Sequence, residues 1–103
     1  MSVRWHTYPD AAATAEACAH HIVALLEEVL SASEFATMAI SGGSTPKLMF
    51  PKLAETKFPW NRVHLFWVDE RCVPPTDSES NYKLALETLI APCLLYTSCR
   101  RPR

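Results

Sequence analysis

Glycine is scarce in this chain of 103 residues, and its two glycines are adjacent. Two adjacent glycines cannot form the G-x-G-x-x-G motif of dinucleotide-binding folds, and the turn also lacks the lysine of a P-loop. No apolar run approaches the ~20 residues that a membrane-spanning helix needs, and the first residues lack the apolar region of a secretory signal. These absences argue against common nucleotide-binding sites. They favour a cytoplasmic protein with no membrane partner.

Metal-ligand spacings and basic surface runs are also missing. No CxxC pair or zinc-ligand spacing occurs among the four cysteines, Cys18, Cys72, Cys93 and Cys99. Without a secretory signal, four cysteines favour reduced thiols over disulfides. The formal charge of −1 hides an asymmetry, since residues 1–92 hold seven basic and eleven acidic residues. We therefore expect neither a bound metal nor a nucleic-acid partner, which would require a basic surface.

The apolar pattern in the first part of the chain predicts a strand, a helix and a second strand. A loose alternation over residues 4–8 suggests a short strand. Asp10 is suited to cap a helix that runs to about residue 31, because apolar residues recur there at a spacing of three to four. The apolar run at residues 35–41 predicts the second strand.

The rest of the chain repeats this alternation. A helix is expected over residues 46–57, although Pro51 within it removes a backbone hydrogen bond and should kink or shorten it. Residues 62–69 form the strongest strand candidate, and their nearly continuous apolar character is typical of a parallel strand covered on both faces. Ser80 or Asn81 then caps a last helix.

The order β-α-β-α-β-α predicts an α/β fold: a Rossmann-like parallel sheet with helices on both faces and right-handed crossovers. Three parallel strands leave open edges. We therefore expect residues 1–92 to be the N-terminal portion of a single, incomplete α/β domain. Residues 93–103 do not extend the pattern and resemble a translated sequencing adaptor, so they are expected to be a non-native tail.

The turn after the second predicted strand is a candidate anion site. Gly42 and Gly43 allow positive φ and close approach of a bulky anion to the backbone. Thr45 is a suitable N-cap and Pro46 a suitable first helical residue. Free N–H groups would then converge at a helix N-terminus, an arrangement that most often binds phosphate. The alternative is an ordinary turn that uses glycine for its geometry alone.

Three charged residues, Asp69, Glu70 and Arg71, end the third predicted strand. Ligands of parallel α/β sheets bind at the carboxyl ends of the strands, where the glycine turn also lies. Arg71 could contact a phosphate or orient a substrate, pair with Asp69 or Glu70, or form a surface salt bridge. Asp69 could accept a hydrogen bond from a ligand, orient Arg71, or cap the following turn.

Together these motifs resemble the N-terminal half of the 6-phosphogluconolactonase family. The resemblance rests on three segments in order: Ser41-Gly42-Gly43-Ser44-Thr45-Pro46, Val68-Asp69-Glu70-Arg71-Cys72-Val73-Pro74 and Asp77-Ser78-Glu79-Ser80-Asn81-Tyr82. The related glucosamine-6-phosphate deaminases share the glycine turn but usually have Asp-Glu-Tyr in place of Asp-Glu-Arg. Arg71 and the Ser80-Asn81-Tyr82 run therefore favour the lactonases.

The resemblance implies hydrolysis of 6-phospho-D-glucono-1,5-lactone to 6-phosphogluconate in the oxidative pentose phosphate pathway, by a monomer without metal or organic cofactor. It also implies a set of substrate-binding residues: Gly42, Gly43, Ser44, Thr45, Asp69 and Arg71. The backbone N–H groups of the turn and the Arg71 guanidinium suit a phosphate dianion.

The general base of these lactonases is thought to be a histidine in a Gly-His-x-Ala-Ser-like segment of the C-terminal half. None of the four histidines, His6, His20, His21 and His64, has that context. His64 lies within the third predicted strand and is expected in the core or on a sheet face. We therefore expect this chain alone to be inactive. Two alternatives remain: a glucosamine-6-phosphate deaminase with Asp69 as the proton-abstracting base, and a non-catalytic sugar-phosphate-binding module.

Overall fold

A computed structural model of the chain describes residues 2–93, in which helices alternate with two parallel strands. The helices and strands, in chain order, are α1 (Ala11–Leu30), β1 (Ala36–Ile40), α2 (Ser44–Glu55), β2 (Val63–Trp67), α3 (Asn81–Ala85) and α4 (Ala91–Cys93). A 3-10 turn, Trp60–Arg62, leads into β2, and a π-helical turn, Leu86–Ile90, joins α3 to α4. Within the described range, no helix combines the length and apolar character needed to cross a bilayer.

Local signals place α1 as the sequence predicts. The Asp10 side chain accepts a hydrogen bond from the Ala13 N–H at 2.7 Å, so Asp10 is the N-cap. At the other end, the Arg62 guanidinium donates to three main-chain carbonyls, those of Leu30, Ser33 and Glu34, at 3.2, 2.8 and 2.8 Å. The bond to Leu30 satisfies a carbonyl that the helix end leaves without a partner, and the other two bonds satisfy carbonyls of the loop that follows α1. They also tie the start of β2 to the segment before β1.

The sheet consists of β1 and β2 paired in parallel, with Ala36 opposite Val63 and Ile40 opposite Trp67. The pairing continues one step further, since the Val68 N–H donates to the Ile40 carbonyl at 2.8 Å. Because the strands are parallel, their carboxyl ends lie at the same edge of the sheet. The segments that follow β1 and β2 therefore start side by side.

The core lies between one face of this sheet and the helices. The largest fully buried side chains are Phe50, Leu53 and Leu89. Trp60 is only 7% exposed and its ring lies 4.9 Å from that of Phe58, so both aromatic side chains belong to the core. The apolar side chains of β2 that pack against this cluster are Val63, Leu65 and Trp67.

The opposite face of the sheet is open within the described residues. Phe66 is 57% exposed, and His64 is exposed with its ring 4.9 Å from that of Phe35. His64 is thus on a sheet face, as predicted. The expected coverage of β2 on both faces is not found in residues 2–93, because the helices there pack against the other face. The described part is an α/β unit consistent with a portion of a Rossmann-like fold.

Two local predictions are wrong. Residues 4–8 form no strand; Trp5 is 88% exposed, and an apolar alternation without a neighbouring strand has no pairing to stabilise it. Thr45 is not the N-cap of α2, because the helix begins at Ser44 and Gly43 occupies the cap position.

Two further predictions concern the effect of Pro51 on helix α2 and the last residues of the chain. Helix α2 runs through Pro51 without interruption, because the core contacts of the residues on either side hold the turn in place. The predicted tail, residues 93–103, lies outside the described residues except for Cys93, which is buried at the end of α4.

Candidate functional site

The glycine turn presents backbone donors at the start of α2. Gly43 has φ 117° and ψ −174°, a backbone conformation that is essentially restricted to glycine. Its carbonyl accepts from the Lys47 N–H at 3.1 Å and so begins the helix. Within residues 2–93, the N–H groups of Gly42, Gly43 and Ser44 make no hydrogen bond to the protein. Such donors at a helix N-terminus suit an anion.

Asp69 lies next to this turn. The Ser41 hydroxyl donates to Asp69 Oδ1 at 3.0 Å, which links the residue after β1 to the segment after β2. The parallel strands thus bring two of the predicted motifs together at one edge of the sheet. Asp69 is exposed, so its carboxylate is accessible to a polar ligand.

Arg71 is oriented differently. Its guanidinium contacts the Glu79 carboxylate at 3.4 Å, and the two side chains are 55% and 67% exposed. No hydrogen bond in the described part of the chain joins this guanidinium to the glycine turn, to Asp69 or to the Glu70 carboxylate. The structure therefore brings Asp69, but not Arg71, into direct contact with the turn.

Glu70 is the most densely bonded carboxylate in the described chain. It accepts from the N–H groups of Asn81 at 2.7 Å, Arg71 at 2.8 Å and Tyr82 at 2.9 Å, and from the Ser80 hydroxyl at 3.1 Å. These donors, led by the N–H groups of Tyr82 and Asn81, lower the pKa of Glu70 from 4.5 to about 2, although desolvation acts in the opposite direction. Glu70 thus joins the end of β2 to the start of α3.

Asn81 was predicted only as a possible helix cap, and the structure gives that role to Ser80. The Ser80 hydroxyl accepts from the Lys83 N–H at 3.1 Å. Asn81, the first residue of α3, is instead 6% exposed and donates through Nδ2 to the Asp69 carbonyl at 3.1 Å. A polar side chain so well buried usually has a hydrogen-bonding role, but the sequence around Asn81 indicates no partner for it. Only the tertiary contact reveals it.

The arrangement combines two complementary functions. The turn offers N–H donors to an anion, and Asp69 offers an acceptor to a hydroxyl or amine. Ser41 and Asn81 hold Asp69 in place, so little ordering is required when a ligand binds. In residues 2–93, no group of three His, Cys, Asp or Glu side chains is arranged to hold a metal ion.

Comparison with known proteins identifies the family. A 6-phosphogluconolactonase of Rhizobium meliloti (strain 1021) is 39% identical over 90 residues, which are 87% of this chain and 39% of that protein. The corresponding protein of Treponema pallidum (strain Nichols) is 38% identical over 90 residues, 84% of this chain and 36% of that protein. This chain therefore spans less than two fifths of the length of these curated relatives.

Solved structures agree. The crystal structure of 6-phosphogluconolactonase from Thermotoga maritima matches with a TM-score of 0.77 and 33% identity, covering 84% of this chain and 39% of that one. A 6-phosphogluconolactonase from Shewanella baltica OS155 also matches with a TM-score of 0.77, at 31% identity, covering 81% of this chain and 36% of that one. The sequence model described as glucosamine-6-phosphate isomerases/6-phosphogluconolactonase matches residues 9–99. The chain belongs to the glucosamine-6-phosphate isomerase/6-phosphogluconolactonase family.

Proposed function

We propose that this chain forms part of the substrate site of a 6-phosphogluconolactonase, which hydrolyses 6-phospho-D-glucono-1,5-lactone to 6-phosphogluconate. The observation that supports the proposal best is the hydrogen bond from Ser41 to Asp69, because it joins the glycine turn to the end of β2 in a chain of this family. The relatives named above are described as lactonases, which favours this activity over deamination.

The proposed roles follow from the chemistry of each group. The N–H groups of Gly42, Gly43, Ser44 and Thr45 bind the phosphate, since the first N–H groups of a helix have no acceptor within it. Asp69 accepts a hydrogen bond from a sugar hydroxyl. Arg71 exchanges its exposed contact with Glu79 for the phosphate or the lactone ring, which costs little because exposed ion pairs are weak.

The attacking water needs a general base. We propose that a histidine in the part of the domain outside residues 1–92 supplies it, with no metal or organic cofactor. His64 is on the open sheet face beside Phe35, and none of the other histidines has a role in this proposal. Residues 1–92 would be the N-terminal portion of one domain, working as a cytoplasmic monomer without a nucleic-acid or membrane partner. The 103-residue chain alone would then bind product without accelerating hydrolysis.

Binding of the stable product tests the site directly. Titration of the 103-residue chain with 6-phosphogluconate, followed by the amide NMR shifts of residues 42–45, should show saturable binding, whereas gluconate at the same concentrations should leave these shifts unchanged. Gluconate is the matched control because it lacks only the phosphate. Equal shifts with both ligands would contradict a phosphate site at the turn.

Activity assays separate the candidate reactions. A longer gene product containing the rest of the domain should hydrolyse the lactone faster than its spontaneous hydrolysis at neutral pH, and the 103-residue chain should not. Release of ammonia from glucosamine 6-phosphate by the longer product would instead favour the deaminase, with Asp69 as the base. Binding of sugar phosphate without either reaction would favour a non-catalytic module.

A further inference from the structure

The side chain of Asn81 fills the space next to Gly42. A Cβ atom placed on Gly42 would overlap Oδ1 of Asn81 and lie 2.6 Å from its Cγ. Gly42 therefore has no room for a side chain while Asn81 keeps this position. Gly43 differs, because a Cβ there would meet only the Cδ atom of Pro46, at 4.0 Å. The two adjacent glycines are thus required for different reasons, Gly42 for space and Gly43 for its positive φ.

The same amide also contacts Asp69. Asn81 Nδ2 lies 3.1 Å from the Asp69 carbonyl and 3.5 Å from Asp69 Oδ1. The carboxylate oxygen that accepts from Ser41 is therefore also the one that faces Asn81. A single buried amide touches both the glycine turn and the residue that ends β2.

The position of Asn81 is itself fixed by Glu70 and by the start of α3. Its N–H donates to Glu70 Oε1 at 2.7 Å, and its neighbour Ser80 caps α3. Because Asn81 is buried at the first position of a helix, its side chain has few alternative rotamers. The orientation of the amide thus depends on α3 and Glu70 and not on the exposed loop between them.

We propose that Asn81 is a positioning residue: its amide packs against Gly42 and sets the orientation of Asp69 relative to the glycine turn. The part of this inference that concerns ligands rests on the proposed function. Loss of the amide should disturb recognition of the sugar by Asp69, while the N–H groups of the turn keep their affinity for phosphate.

A double-mutant cycle tests the contact without any ligand. Gly42→Ala should lower the Tm of the 103-residue chain, and adding Asn81→Ala should restore part of the loss, because the smaller side chain removes the overlap. Gly43→Ala is the matched control, and its Tm shift should simply add to that of Asn81→Ala. Additive shifts in the Gly42 cycle would overturn the proposed contact.

Ligand selectivity tests the positioning role. In Asn81→Ala, the affinity for 6-phosphogluconate should fall about ten-fold, as expected when a hydrogen bond to a charged group is disturbed, while the affinity for inorganic phosphate stays within about two-fold. If Asn81 had a merely structural role, its loss would lower the affinities for both ligands by the same factor. That result, or no change in either affinity, would overturn the proposal. If the unmodified chain bound neither ligand, the proposed function would fail at this site, while the Gly42 cycle would still decide the contact.

Discussion

The turn of residues 41–46 and the segment of residues 69–82 meet at the candidate site, but they are held in different ways. The turn depends on backbone conformation: Gly43 has φ 117°, and the side-chain bond that leaves the turn comes from Ser41. The second segment depends on side chains, because the Glu70 carboxylate accepts from Ser80, Asn81 and Tyr82. The turn thus keeps its N–H groups available for a ligand, and the second segment supplies a prearranged support.

This difference suits a binding site for a small anion. N–H groups that are already bonded within the protein could not bind phosphate without breaking those bonds. A support with its hydrogen bonds satisfied holds Asp69 in position before the ligand arrives. Substitutions in the two segments should therefore have different consequences.

The largest effect should come from a side chain added at Gly43. Gly43→Ala forces a residue with a Cβ atom into a conformation that favours glycine, which should destabilise the chain by about 1–3 kcal/mol. Thermal unfolding followed by circular dichroism measures the change. Ser44→Ala is the control, because its position is helical and needs no special φ. Equal Tm values for both variants would contradict the view that backbone conformation holds the turn.

Loss of charge at Glu70 should change the response to acid. Its pKa is about 2 in the folded chain and 4.5 ordinarily, so the ionised carboxylate favours folding. This stabilisation is complete above pH 4.5 and is lost as the pH falls towards 2, because the unfolded chain takes up the proton first. Glu70→Gln should therefore flatten the dependence of Tm on pH in this window.

The matched control for Glu70 lies in the same segment. Glu79→Gln removes an exposed carboxylate whose ion-pair partner is Arg71 at 3.4 Å. Its Tm should keep the acid dependence of the unmodified chain between pH 4.5 and 2. If both variants showed the same curve, Glu70 would not be the group that supports this segment.

The smallest effect on stability is expected at Arg71. Its side chain is 55% exposed and contacts only Glu79 among acidic groups of the described chain. Exposed ion pairs contribute about 0–1 kcal/mol, so Arg71→Ala should barely change the Tm. The same variant should weaken 6-phosphogluconate binding if Arg71 turns towards the phosphate. A large loss of stability would show instead that Arg71 supports the segment.

Much of the fold follows from local signals. Asp10 marks the start of α1, and the apolar runs place β1 and β2 within one or two residues of their observed ends. The sequence-based predictions are wrong where another residue or the lack of a tertiary partner overrides a local signal. Thr45 is a good capping residue, but Gly43 precedes it and already adopts the conformation that starts α2. Residues 4–8 alternate as a strand would, but no described strand pairs with them.

The motifs of the candidate site were predictable, but most of its contacts were not. Asp69 and the glycine turn could be placed at one sheet edge, because parallel strands end on the same side. The roles of Ser41, Glu70 and Asn81 could not, because capping residues and charged residues are common in any loop. Ser41 and Asp69 are 28 residues apart in the chain, and no local pattern relates them.

The sequence by itself determined the family, the order of the elements from α1 to α3 and the position of the glycine turn. These depend on motif order, hydrophobic period and backbone conformation, which are properties of neighbouring residues. Tertiary structure alone decided that Asn81 occupies the space over Gly42, that Glu70 joins β2 to α3, and that Arg71 turns away to Glu79. Those outcomes depend on how separate segments pack, and so the adjacent glycines of one turn have two distinct physical roles.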